Sequence, residues 1–211
     1  MDDDSTGNDS TRIAPPRAAP TVSGRAFLGL VKSIKRRGGD DLLKRVVDGA
    51  APEARAVLAR PIPKLTWQPY GAFISFLEAA ERTVGGSDRS FARVLGAEAG
   101  KMDLGTVLKV YVALSSAERL IRSCSTVWAS YYRGAGRMEA VSWDPDETVL
   151  RIYDFDAMAP VHCRLMEGWM TSAMETLGFT VRDDAHERTC PSRGGAVHEF
   201  WCCWRRGRRL A

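Results

Sequence analysis

The stretch Arg137-Met138-Glu139-Ala140-Val141-Ser142-Trp143, then Asp144-Pro145-Asp146-Glu147, then Thr148-Val149-Leu150-Arg151-Ile152-Tyr153 is where the chain changes its period. Before it, apolar residues recur every three or four positions. Within it, Met138, Val141 and Trp143 lead to a proline turn, and Val149, Leu150, Ile152 and Tyr153 follow. That pattern predicts two strands joined by a tight turn, with proline at a favoured turn position. On the C-terminal side, 157–177 predicts a long helix stopped by Gly178. Phe179-Thr180-Val181-Arg182 predicts a third strand, 183–195 a polar loop, and 197–204 a last strand. A strand–strand–helix–strand–strand order implies an antiparallel sheet packed on the long helix.

The N-terminal side reads as helices. Residues 27–31 predict a short strand or a helical turn before a loop at Lys35-Arg36-Arg37-Gly38-Gly39. Asp40 and Asp41 cap a helix ending at Gly49, and a short helix follows Pro52. Pro61 and Pro63 enforce an extended link, because each disfavours helix at the residue before it. Trp67-Gln68-Pro69-Tyr70 opens a helix with Tyr70, Phe73, Ile74, Leu77 and Ala80 on one face, stopped at Gly85. Further helices are expected from Ser87-Asp88 through Phe91, Val94 and Leu95, across 104–114, and from Ser115-Ser116 through Tyr131, the last stopped by Gly134-Ala135-Gly136. The fold class is therefore α+β, a helical N-terminal half followed by ββαββ.

Composition bounds the rest. The 211 residues are 45% hydrophobic and 27% charged, which is globular, and long enough for one domain with a real core. Residues 1–24, with three prolines and four aspartates, are expected as a disordered tail, 25–204 as one domain, and 205–211 as a basic tail. The formal charge of +4 is concentrated in Arg205, Arg206, Arg208 and Arg209. A nucleic-acid-binding fold carries its basic stripe on the body, so nucleic acid is not an expected partner. The opening Met1-Asp2-Asp3-Asp4 has neither the positive nor the apolar region of a secretory signal. No stretch reaches the roughly 18 apolar residues of a membrane helix. A soluble, cytoplasmic protein is expected, with its five cysteines as thiols, since an odd number does not complete a disulfide framework.

All three histidines (His162, His186, His198) and four cysteines (Cys163, Cys190, Cys202, Cys203) lie in the last third. His186-x-x-x-Cys190 and His198-x-x-x-Cys202 repeat one spacing, and imidazole with thiolate suits zinc. Along a strand, however, His198 and Cys202 stand about 13 Å apart at roughly 3.3 Å per residue. Cys202 and Cys203 face opposite ways, and there is no Cys-x-x-Cys. These residues are therefore expected to act separately, with no metal site assigned. On the long helix, His162, Leu165, Met166, Trp169 and Ala173 share a stripe, with Met158, Met170 and Met174 close by. Such a stripe packs a core or lines an apolar pocket. No Gly-x-Ser-x-Gly, His-Glu-x-x-His or phosphate-binding glycine motif occurs, and no acid–base pair emerges, so an enzyme is not expected.

Read in order, the chain carries Leu58-x-x-Pro61-x-Pro63, Trp67-x-Pro69-Tyr70-x-x-Phe73, Leu95-Gly96, Trp128 with Tyr131-Tyr132, Gly168, Leu177-Gly178-Phe179 and Phe200-x-x-x-Trp204. This set resembles a paralogous protein family expanded in myxobacteria, itself distantly similar to haem-nitric-oxide-binding domains and to vinyl-reductase-type ligand-binding domains. The resemblance implies a helical half and a small sheet enclosing an apolar pocket. It implies a sensory role without catalytic residues to carry over. It also implies a helical histidine against haem in the haem-binding relatives, for which His162 is the helical candidate.

The expected site is thus a pocket between the long helix (His162, Leu165, Met166, Trp169) and the sheet (Trp143, Tyr153, Phe200, Trp204), holding a small hydrophobic molecule. The alternatives are a protein-interaction adaptor, as a monomer or a homodimer, and a zinc-containing or haem-binding sensor. The identity of any cofactor stays open at this point.

Overall fold

A computed structural model describes residues 18–86, 90–106 and 117–206. The segment 1–17, the helix start at Ser87-Asp88, residues 107–116 and the end of the basic tail lie outside the described residues. Within them the α+β expectation holds. Seven helices are α1 (Gly24–Asp48), α2 (Pro52–Leu58), α3 (Tyr70–Val84), α4 (Phe91–Thr106), α5 (Ala117–Arg122), α6 (Cys124–Tyr131) and α7 (Pro160–Thr176). Seven strands are β1 (Thr21–Ser23), β2 (Trp67–Pro69), β3 (Tyr132–Arg133), β4 (Arg137–Trp143), β5 (Glu147–Tyr153), β6 (Phe179–Thr189) and β7 (His198–Arg206).

The larger sheet has the order β4-β5-β7-β6, every neighbour antiparallel. It packs on α7, whose other side meets α4. Covered from both sides, α7 buries almost its whole circumference, including His162, Cys163, Leu165, Met166, Glu167, Met170 and Met174. A helix buried all round is more than the single apolar stripe of the sequence implies. The inner face of β7 takes every second residue into the core: His198, Phe200, Cys202 and Trp204.

Four differences from the sequence expectation have physical causes. Residues 27–31 are neither strand nor isolated turn; they belong to α1, which bends at Gly38 and Gly39, where Gly39 has φ +66° and ψ −160°. Only glycine takes that conformation without strain, so the helix kinks there and resumes instead of ending in a loop. Second, the chain is ordered ahead of Arg25. Thr21–Ser23 pairs with both Trp67–Pro69 and Tyr132-Arg133, Val22 is fully buried, and the Ser23 hydroxyl accepts the Arg25 N–H at 3.2 Å to cap α1. Third, the expected helix through Tyr131 is broken at Ser123, whose hydroxyl donates to the Arg119 carbonyl at 2.8 Å. Fourth, Asp183 to Thr189 is not loop but the second half of β6. This strand lies at the sheet edge, where one face is solvated and charged side chains are normal. Its register slips between Asp183 and His186 and again between Glu187 and Thr189. Likewise Arg205 and Arg206, expected in the tail, end β7. Among the described residues no helix is long and apolar enough to cross a membrane.

Candidate functional site

His162 is completely buried. Its Nδ1 lies 2.9 Å from the Tyr70 hydroxyl and its Nε2 2.8 Å from the Tyr132 hydroxyl. The ring stacks on Trp128 at 6.0 Å and meets Phe73 edge-on. Burial, with a smaller push from His198, holds its pKa down at about 3, so the imidazole is neutral. Burial also pushes the Tyr70 phenol up, so it stays protonated. The histidine is a core residue satisfied at both nitrogens.

The cavities lie beside it. One, of about 50 Å³, is walled by Leu30, Phe73, Trp128, Leu165, Met166 and Trp169, among others. A second, of about 60 Å³, is walled by Cys124, Leu150, Met170, Ala173, Met174 and Cys202, among others. They share Val127, Met138 and Trp169. Of the expected pocket residues, Leu165, Met166 and Trp169 line this space. His162 does not; it stands behind Phe73, Trp128 and Tyr132. The sheet aromatics also lie elsewhere. Phe200 and Trp204 are filled core, Trp204 packing on Trp143 at 5.3 Å and donating its indole N–H to the Pro145 carbonyl. Tyr153 sits under the Arg137 guanidinium. At this end of the sheet, α5 and α6 pack on β4.

A second constellation was not assembled from the sequence. Cys163 on α7, Glu187 on β6, Cys190 just after it and His198 at the start of β7 bring four donor atoms within 4.8 Å of one another. His198 Nδ1 lies 2.7 Å from Glu187 Oε1 and 3.6 Å from Cys163 Sγ, while its Nε2 faces the Phe155 carbonyl at 3.3 Å. A carbonyl accepting the far N–H fixes the tautomer that presents Nδ1 to a metal. Burial raises the Glu187 carboxyl, but His198 and then Cys163 outweigh it and hold it below the usual range. Burial first, then Glu187, pushes the Cys163 thiol up; a bound cation would reverse that preference. Two thiols, one imidazole and one carboxylate are the donor set of a four-coordinate zinc centre.

Local structure explains the convergence. The turn Pro191–Arg193 reverses the chain, with the N–H groups of Arg193 and Gly195 both donating to the Cys190 carbonyl at 2.9 Å. A β-carbon at Gly195 would crowd the Cys190 backbone. The site takes one member from each sequence pair, Cys190 and His198, and leaves the others out. His186 faces outward against Trp201, Cys202 lines the second cavity, and Cys203 contacts Asp183. Glu187 and Cys163 were missed. Opposite pointing of neighbours on a strand separates His186 from Glu187, but nothing in the linear spacing places α7 over them.

No protein-family model matches the sequence, and no curated protein matches it. Solved structures do. An H-NOX protein from S. oneidensis superimposes with TM-score 0.68 at 13% identity, over 90% of this chain and 99% of that one. The unliganded Fe(II) H-NOX protein from K. algicida gives 0.66 at 8%, over 90% and 100%. An oxygen-binding H-NOX domain related to soluble guanylate cyclases gives 0.61 at 11%, over 87% and 95%. The described residues do not fit haem. Both nitrogens of His162 are taken by phenols, His198 stands in the donor cluster and lines neither cavity, and His186 lies on the outer side of the sheet against Trp201. The thiols of Cys124 and Cys202 line the second cavity, where burial pushes both up, the latter to about 12. The two cavities are far below the roughly 300–1,000 Å³ of pockets for larger ligands. At these identities the likeness is one of fold: the chain has the α+β architecture of the H-NOX domains.

Proposed function

We propose that this chain is a non-enzymatic, cytoplasmic sensory domain that takes a small apolar ligand into the paired cavities between α6, α7 and β4. The observation that carries the reading is the apolar wall shared by both cavities at Val127, Met138 and Trp169. An engineered dry cavity of about 150 Å³ is enough for benzene, so the occupant here is smaller or slimmer, of a few carbons, unless the methionines yield. The sequence resemblance to vinyl-reductase-type ligand-binding domains and to the myxobacterial paralogous family supports an organic ligand. Cytoplasmic placement is supported by five cysteines that form no disulfide. The adaptor alternative has less support: the large exposed apolar residues among the described ones, Leu65, Val84, Val94 and Val141, lie on separate elements.

The test is thermal denaturation with short alkanes, alkenes and short-chain fatty acids. A binder at a hundredfold excess over Kd adds about 2.7 kcal/mol, roughly 5–10 °C for a domain of this size. Ala173→Leu, which fills the second cavity, is expected to abolish the rise. No shift with any compound overturns the reading.

A second reading concerns the four-donor cluster, which we propose holds one zinc ion bridging α7 to β6 and β7. Bound there, zinc would add a cross-link to the hydrogen bonds that already join α7 to β6 and β7 in this corner. Metal analysis of protein purified without added metal is expected to give one zinc per chain; a ratio near zero rejects it.

A further inference from the structure

We infer that Glu167 is the positioning residue of the four-donor centre, holding Glu187 toward Cys163, Cys190 and His198; the inference rests on the zinc reading above. Glu167 stands one helical turn after Cys163 on α7 and is buried. Its Oε1 accepts the backbone N–H of Glu187 at 2.9 Å, and its Oε2 accepts from the Arg93 guanidinium of α4 at 2.5 Å. One turn further, the Thr171 hydroxyl accepts the backbone N–H of Ala185 at 2.9 Å and donates to the Glu167 carbonyl at 3.0 Å.

These bonds carry an instruction that the sheet does not. The β6 ladder slips on both sides of the His186–Glu187 pairing, so pairing with β7 leaves the facing of Glu187 loosely specified. The N–H groups of Ala185 and Glu187, two residues apart on an edge strand, point to the helix instead of to solvent. Two strand residues advance about 6.6 Å and four helix residues about 6 Å, so acceptors at Glu167 and Thr171 match donors at Ala185 and Glu187. Ligating carboxylates are oriented by such outer partners, whose loss typically costs about 10–100-fold in metal affinity. Here the outer carboxylate orients its ligand through the main chain, and Arg93 ties it to α4.

The experiment measures zinc affinity of the full chain by chelator competition, together with the visible spectrum of the cobalt(II)-loaded protein. Glu167→Ala is expected to weaken zinc about 10–100-fold and to move the cobalt spectrum toward that of Glu187→Ala. Glu167→Gln, which keeps one acceptor, falls between. Wild-type affinity and spectrum in Glu167→Ala overturn the inference. If that variant does not fold, an unchanged affinity in Glu167→Gln overturns it. Failure of the wild-type chain to take up zinc or cobalt rejects the zinc reading itself and is distinguishable from either result.

Discussion

The imidazole of His162 is held between two phenols, and one tautomer satisfies both: a nitrogen donates to one tyrosine and the other accepts from the second. A second ring proton would have to displace the phenol O–H that donates to that nitrogen, and burial disfavours the charge. With a folded pKa of about 3 against an ordinary value near 6.5, the unfolded chain binds the extra proton first. The contribution is therefore fully present above about pH 6.5 and is lost as pH falls through the window from 6.5 to 3. At 1.36 kcal/mol per pH unit the loss reaches about 4–5 kcal/mol. Carboxylates titrate in the same range, so the informative quantity is the difference from His162→Gln. That variant is expected to flatten the acid slope of stability measured by urea denaturation; an unchanged slope rejects the assignment.

At the scale of elements, the α4–α7 crossing depends on two glycines. A β-carbon at Gly168 would collide with the Arg93 carbonyl, and one at Gly96 with the Leu165 carbonyl. Both obstacles are backbone, which cannot rotate aside, so the helices must separate. Separation opens the wall formed by Leu165, Met166 and Trp169. Gly168→Ala is expected to cost about 2–3 kcal/mol, seen as a lower denaturation midpoint, and to abolish any ligand-induced rise in melting temperature. An alanine variant within 0.5 kcal/mol of wild type would show that the crossing tolerates more distance. The β7 strand has a comparable role: His198 serves the donor cluster and Cys202, four residues on and on the same face, serves the second cavity. The sequence spacing was right about their separation, and it is this separation that lets one strand serve two places.

Over the whole molecule, the donor cluster and the second cavity lie toward opposite ends of α7 and β7, and the donor cluster joins three elements, α7, β6 and β7. Removing a bound metal therefore loosens one corner. A tight site at a thousandfold excess of zinc over Kd contributes about 4.1 kcal/mol, roughly 8–16 °C. Chelator-treated protein is expected to melt lower by that order, with faster amide exchange at Ala185, Glu187 and His198. Protection in α2, which packs on α1 and α3, is expected to be unchanged. Uniform loss of protection would instead mean that the centre holds the entire fold.

Local patterns were enough for many of the elements: proline turns, glycine stops and the change of period at Arg137 place four of the seven strands, β4 to β7, at least in part, and the principal helices, but not the short strands β1, β2 and β3. They work because turn chemistry and side-chain periodicity act over a few residues. Even the tilt toward thiol and imidazole chemistry in the last third is plain in composition. What the linear order could not contain is which thiols and imidazoles meet. Cys163 reaches Glu187, Cys190 and His198 only because α7 lies across the sheet with that turn facing β6 and β7, and His162, the preceding residue, is rotated about 100° away into the aromatic core. The polar run 183–189 reads as loop because its strand gains pairing on one edge only, and its direction comes from helix side chains that the sequence places 14 and 20 residues earlier. Short-range stereochemistry determined the pieces; long-range packing decided the site.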